Sequence, residues 1–167
     1  MKVSIKLLEI KSPRFDYTVQ LEDPSKEVLV SVRNARASFK KSCELMDAIR
    51  GKRVKEAQAI IEGVIQMKQP IHYTSHRKHV PHHSELKGNK GAEGGYPVNV
   101  AKQVQRLLDN ALAAADSKGL DEDKLVVSHA AVLLGLKVRR FFARARGQHD
   151  LKVRQLVHME LGLREVD

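Results

Sequence analysis

The sequence predicts an α+β fold, and three observations carry that expectation. Valines alternate at Val28, Val30 and Val32, the period of a strand. Three later stretches place apolar residues three to four apart, the period of an amphipathic helix. Near the C-terminus, two period-two arms flank a basic stretch, which reads as one long β-hairpin.

The elements follow in chain order. Residues 1–25 are mixed, and Pro13, Asp23 and Pro24 interrupt any long element. Within them, 5–10 and 15–21 are strand candidates, and 1–25 reads as an N-terminal extension. The valine strand spans 26–33. The first helix is predicted over 38–50, with Ser38 as cap, a face of Phe39, Cys43, Met46 and Ile49, and Gly51 as the stop. The second covers 54–66, with Val54, Ala57, Ile61 and Val64 as its stripe. A His-, Lys- and Gly-rich insertion at 69–95 lacks apolar periodicity and buries little by itself. The third helix starts after Pro97 with Asn99 as cap, carries Val100, Val104, Leu107, Leu108, Ala111 and Ala115, and stops at Gly119. Strands at 124–134 and 153–163 form the hairpin arms, with Leu151, Val153, Val157, Met159, Leu161 and Leu163 all on odd positions. The whole reads as one domain, with a globular core at 26–123 and the extended hairpin at 124–163. Arms of roughly 18 residues reach on the order of 60 Å, beyond any globule of this size, at ~3.3 Å per residue.

Charge narrows the function. Thirty Lys and Arg against 20 Asp and Glu give a formal charge of +10 and a pI near 9.8. Such a chain repels itself unless a polyanion is at hand, either nucleic acid or a membrane surface. A hydrophobic fraction of 42% is too high for a disordered tail. No apolar run approaches the ~20 residues that span a bilayer, so no membrane insertion is expected. Met1-Lys2-Val3-Ser4-Ile5-Lys6 has no apolar signal segment behind its charges. Cys43 is the single cysteine, which rules out a disulfide framework and a Cys-based zinc site within the chain. An intracellular protein is expected.

The hairpin concentrates the charge. Lys137, Arg139, Arg140, Arg144, Arg146, Lys152 and Arg154 meet a single acid, Asp150. An isolated two-stranded ribbon is marginal in water, so its protruding part needs a partner along its length. Arginine suits phosphate, because its planar fork matches the phosphate oxygens and its face stacks on bases. Phe141 and Phe142 add ring surface for insertion between bases.

Other chemistries fit less well. His72, His76, His79, His82 and His83 fall within twelve residues, and His72 and His76 would share a helix face as zinc ligands. Pro70 and Pro81 bracket that stretch and argue against a regular helix, so no metal site and no cofactor is predicted. Gly88 to Gly95 lacks the Gly-Lys-Ser/Thr ending of a phosphate loop. No arrangement suggests an activated nucleophile, and Cys43 reads as a small core residue. The expectation is a binding protein and not an enzyme.

The stretch Arg33-Asn-Ala-Arg-Ala-Ser-Phe-Lys-Lys-Ser-Cys-Glu-Leu-Met-Asp-Ala-Ile-Arg-Gly-Lys-Arg-Val-Lys-Glu-Ala57 resembles the universal large-subunit ribosomal protein family numbered twenty-two in bacteria and seventeen in eukaryotes. The resemblance continues through Tyr96-Pro97-Val98, Leu107-Leu108-Asp109-Asn110-Ala111, Gly119-Leu120-Asp121 and Lys124-Leu125. It ends on Arg139-Arg140, Arg144-Ala145-Arg146-Gly147 and His158, covering about 27–163. It departs at Ala143, where the family has Pro, at Gln148, where it has Arg, and at Gly135-Leu136, where it has Gly-Arg. The insertion with His76-Arg77-Lys78 looks like the archaeal and eukaryotic branch.

The resemblance implies three helices packed on a small antiparallel sheet, with one hairpin greatly extended. It implies a cytoplasmic structural protein of the large ribosomal subunit. The implied partners are large-subunit rRNA, neighbouring ribosomal proteins and the nascent polypeptide in the exit tunnel. The implied rRNA-binding residues are Arg33, Arg36, Lys41, Arg50, Lys52, Arg53, His76, Arg77, Lys78, Lys137, Arg139, Arg140, Arg144, Arg146, Lys152, Arg154 and His158. The implied tunnel-facing tip is Phe142, Ala143, Arg144, Ala145, Arg146 and Gly147. The competing reading is a free-standing RNA- or DNA-binding regulator with the same helices.

Overall fold

A computed structural model describes residues 16–88 and 91–166. The element order is β1 (Glu27–Ala35), α1 (Phe39–Ile49), α2 (Val54–Ile65), β2 (Ile71–His72), β3 (Gly94–Gly95), α3 (Val98–Lys118), β4 (Leu125–Ala143) and β5 (His149–Glu165). β5 is the central strand of an antiparallel sheet ordered β1-β5-β4, and β2 and β3 form a separate two-stranded ladder inside the insertion. The three helices and antiparallel sheets make an α+β fold.

β5 explains why the sheet has two different faces. Its odd residues Val157, Met159, Leu161 and Leu163 are fully buried. They join Leu125, Val127 and Ala130 of β4, Val28 of β1, and the buried stripes of the helices in one core. α2 contributes Val54, Ala57, Ile61 and Val64, and α3 contributes Val100, Val104, Leu107, Leu108, Ala111 and Ala115. Each fully buried Leu or Ile stabilises the fold by about 1.5–3 kcal/mol over the exposed state. The inner halves of β4 and β5 are thus part of the core, and only their outer halves leave it.

Glu160 lies on the other face of β5, yet it is fully buried. Residues of the N-terminal extension cover it. The Thr18 N–H and hydroxyl donate to its Oε2 at 3.0 and 2.7 Å, and Arg33 Nη2 donates to Oε1 at 3.2 Å. Burial pushes this carboxyl up, but the Thr18 hydrogen bonds and the charges of Arg33 and His129 outweigh it and leave the pKa below its ordinary value. The Tyr17 hydroxyl donates to the Leu29 carbonyl, and the Arg33 guanidinium lies 5.9 Å from the Tyr17 ring centre.

Several expectations are corrected. The strand expected over 15–21 does not form in its described part, 16–21. In this segment the Thr18 N–H and hydroxyl go to the Glu160 carboxylate and not to a strand ladder. The candidate strand at 5–10 lies outside the described residues. Asn99 is not the cap of α3. The Val98 N–H donates to the Tyr96 carbonyl at 2.9 Å, Pro97 stands at the cap, and Asn99 sits exposed in the first turn. On α1, Ser38 holds the cap position, but its side chain makes no cap bond. The buried face of α1 is Ser42, Glu44, Leu45, Met46 and Ile49, so Phe39 and Cys43 are only half-buried.

Candidate nucleic-acid interface

β4 and β5 pair from Leu125↔Glu165 out to Ala143↔His149. Every residue from 136 to 154 is exposed. Beyond Lys137 the only ladder partner of each strand is the other, over roughly 20 Å of ribbon at ~3.3 Å per residue. A ribbon with no core on either side presents both faces to a partner.

Register divides the charge between those faces, since residues paired across an antiparallel ladder project to the same side. The pairs Val138↔Arg154, Arg140↔Lys152 and Phe142↔Asp150 define a face with three cations. The pairs Lys137↔Gln155, Arg139↔Val153, Phe141↔Leu151 and Ala143↔His149 define the other. That second face carries more apolar surface, with Phe141 76% exposed. Exposed rings beside arginines suit unstacked bases, while the first face suits phosphates.

The tip is a tight turn. Arg144 N–H donates to the Gln148 carbonyl at 2.7 Å, and Arg146 (φ 60°) and Gly147 (φ 71°) take left-handed backbone. Arg144 pairs with Asp150 at 2.6 Å, so the one acid of the ribbon partly neutralises one tip arginine. Gln148 contributes through its backbone to closing the turn, its N–H donating to the Ala145 carbonyl at 3.3 Å.

The ribbon leaves the core at a break in register between Leu134 and Lys137. The Leu136 N–H donates to Asn34 Oδ1 at 3.3 Å, and Gln155 Nε2 donates to the Gly135 and Leu156 carbonyls at 2.7 and 2.9 Å. Asn34 has left-handed backbone (φ 54°), and its N–H donates to His158 Nδ1 at 2.9 Å. That bond requires the His158 proton on Nε2. A Cβ on Gly135 would meet Asn34 Oδ1, the Leu156 carbonyl and His158 Cε1 within 3.0–3.2 Å. Bulges re-aim strands, and this one sets the direction of the ribbon.

The insertion is moored by a second buried carboxylate. Glu44 accepts hydrogen bonds from the N–H groups of Thr74, Ser75 and His76 at 2.7, 3.0 and 2.8 Å, and from the Thr74 hydroxyl at 3.3 Å. Burial pushes its pKa up, and these bonds outweigh burial and hold it below the ordinary carboxylate value. The His76 ring meets Phe39 edge-on at 6.5 Å, leaving Arg77 and Lys78 exposed just beyond. Among the described residues, no three His, Cys, Asp or Glu side chains converge as a metal site, and no helix is long and apolar enough to cross a membrane.

The predicted residues fall into distinct groups. Lys137, Arg139, Arg140, Arg144, Arg146, Lys152 and Arg154 lie on the ribbon. Lys52 and Arg53 lie in the α1–α2 turn, which bonds to β4 through Lys52 O with Val127 N–H and the Arg53–Val126 bridge. His76, Arg77 and Lys78 sit on the moored loop. Arg33 is engaged inside the fold with Glu160, while the exposed Arg50 pairs with Asp47 and donates to the Ala130 carbonyl. His158 serves the bulge. Sequence reasoning missed Asn34, Glu44, Gln155 and Glu160. Glu160 alone left a signal, as an acid inside the otherwise apolar end of a strand.

Against known proteins, the pattern of the family described as "Ribosomal protein L22p/L17e" matches residues 30–164. The chain belongs to the L22p/L17e family. It is 37% identical over 156 residues to "Large ribosomal subunit protein uL22" of Staphylothermus marinus, covering 93% of this chain and 99% of the relative. The protein of the same name from Thermofilum pendens is 37% identical over 155 residues, with 93% and 99% covered. That of Archaeoglobus fulgidus is 36% identical over 148 residues, with 89% and 94% covered. The L22p/L17e match spans both the helices and the whole ribbon, so core and interface are covered by a single family assignment.

Proposed function

We propose that this protein is a structural constituent of the large ribosomal subunit in the cytoplasm. It binds large-subunit rRNA, supports assembly among neighbouring ribosomal proteins, and extends its hairpin to the wall of the exit tunnel. Family membership supports the subunit. The observation that carries the mode of action is the ribbon at 136–154, exposed on both faces and holding seven cations against one acid. Such a ribbon is unfavourable in isolation and favourable between phosphates. The globular part then acts as a base that aims the ribbon through the bulge at Gly135, while His76, Arg77, Lys78, Lys52 and Arg53 add contacts around it. The tip from Phe142 to Gly147 meets the nascent chain. The whole chain works as one domain with an N-terminal extension, a globular core and a projecting arm.

Sedimentation tests this. The tagged protein should co-migrate with the large subunit on a sucrose gradient at moderate salt. A protein found only in the light fractions overturns the reading. Cross-linking from a stalled nascent chain should mark residues 142–147. Labelling confined to the globular part removes the tunnel role while leaving subunit membership intact.

A further inference from the structure

A cleft of about 600 Å³ opens where the ribbon meets the helices. Three elements that are remote in sequence build it. Arg36 and Lys41 come from the β1–α1 junction and α1, Tyr96 and Asn99 from the start of α3, and Arg154 and Gln155 from β5. Arg36, Lys41 and Arg154 are exposed, and among the described residues none of them has an acidic partner. No acid lines the cleft, and the first turn of α3 holds none. Three unneutralised cations converging on one concavity repel one another, and the arrangement is relieved only by an anion.

The cleft is more than a charged patch. Tyr96 lines it, and the His83 ring buttresses the Tyr96 ring edge-on at 5.2 Å. The Gln155 side chain is fixed by its bonds to the Gly135 and Leu156 carbonyls, so the polar wall is preorganised. The volume lies in the range of pockets that enclose a small organic ligand, and is far too small for a duplex about 20 Å across. Protein sites that combine cations with a held aromatic ring read splayed, single-stranded nucleotides.

We propose that this cleft seats one unstacked nucleotide of single-stranded RNA, its phosphate on Arg36, Lys41 and Arg154 and its base against Tyr96. This deepens the RNA-binding reading and rests on it. The cleft adjoins the bulge, so an occupied cleft pins the RNA at the point from which the ribbon is aimed.

The test uses the full chain and a fluorescein-labelled ten-nucleotide oligouridine, with a duplex RNA of equal length for comparison. The triple variant Arg36→Gln, Lys41→Gln, Arg154→Gln should lose at least tenfold in oligouridine affinity. Its log–log salt slope should fall by about 0.7 for each phosphate released. Asn99→Asp is the second variant. An acid in the first turn of a helix favours the helix, so folding is preserved while the cleft gains a negative charge. It should weaken oligouridine severalfold with no loss in Tm. A 4-thiouridine probe should cross-link to the peptide holding Tyr96, and should still do so in the tip variant Arg144→Gln, Arg146→Gln. If both cleft variants bind oligouridine within twofold of wild type, or cross-links fall on the ribbon alone, the cleft assignment is overturned and RNA binding by the ribbon stands. If the wild-type protein binds neither RNA, the RNA-binding reading itself falls, and the cleft with it.

Discussion

Replacing Glu160 with Gln tests whether the back of the sheet is held by charge. The carboxylate is fully buried and meets Thr18 on one oxygen and Arg33 on the other. Gln keeps the shape but offers one acceptor and one donor. Whichever way the amide turns, its NH₂ group faces a donor: either Arg33 Nη2 or the Thr18 N–H. One charge-assisted bond, worth about 1.5–3 kcal/mol, is lost, and the remaining bonds become neutral. Arg33, with its side chain 20% exposed, also loses the countercharge that offsets its desolvation. The expected loss is about 2–4 kcal/mol, which lowers Tm by roughly 4–16 °C for a chain of this size. Urea unfolding reads it as a shift in midpoint at constant slope. The pH dependence has a definite sign. The folded carboxyl lies below its ordinary pKa, so its contribution is complete above the unfolded value of about 4.3 and disappears as pH falls through the folded pKa. The wild-type acid limb should therefore be steeper than that of Glu160→Gln. A stability change under about 0.5 kcal/mol, or parallel acid limbs, would refute the charge argument.

Three further outcomes follow from the same geometry. Replacing Arg139, Arg140, Arg144 and Arg146 with Ala should leave thermal stability nearly unchanged, because all four are exposed, yet prevent co-sedimentation with the large subunit; an equal loss of stability in the free protein contradicts it. Glu44→Ala removes the acceptor of three consecutive N–H groups, so hydrogen exchange at Thr74, Ser75 and His76 should accelerate by at least tenfold while the core of α3 is protected as before. Leu161→Ala, at the centre of the core, should cost about 2–5 kcal/mol, and a loss below 1 kcal/mol would mean that the helices do not seat on β5.

Local periodicity made the helices and both sheet-forming arms legible, because each buries one stripe whose spacing is a property of the element itself. Val54, Ala57, Ile61 and Val64 are the buried face of α2 as their spacing implies. α1 was harder, since Glu44 and Ser42 are buried polar residues and mask the true face. Ser42 is satisfied locally by the Ser38 carbonyl, but the burial of Glu44 depends on Thr74 to His76, thirty or more residues away, and no local pattern carries that information. Residues 16–21 misled for the same reason. Their composition suits a strand, but the Thr18 N–H goes to the Glu160 carboxylate, 142 residues away, and no local pattern carries that partner. The basic residues of the interface were legible as charge, but not as groups. Arg33 and Arg36 look equivalent in sequence, yet one neutralises Glu160 and the other lines the cleft with Lys41 and Arg154.

That division explains how one strand serves two purposes. The inner half of β5 is held from both faces, by the apolar core and by the Thr18–Arg33–Glu160 cluster. Its outer half has no such support. Between them the chain bends once, at a break fixed by Asn34, Gln155 and His158. Charge on the ribbon decides what it binds, whereas the bulge decides where that charge is delivered. A side chain at Gly135 would crowd Asn34 Oδ1, the Leu156 carbonyl and His158 Cε1 at 3.0–3.2 Å, and so press on the bulge while every ribbon cation stays in the sequence. A 5° change at the bulge moves a point 20 Å away by about 2 Å, more than half the length of a hydrogen bond. The glycine is therefore as much a part of the interface as the arginines it aims.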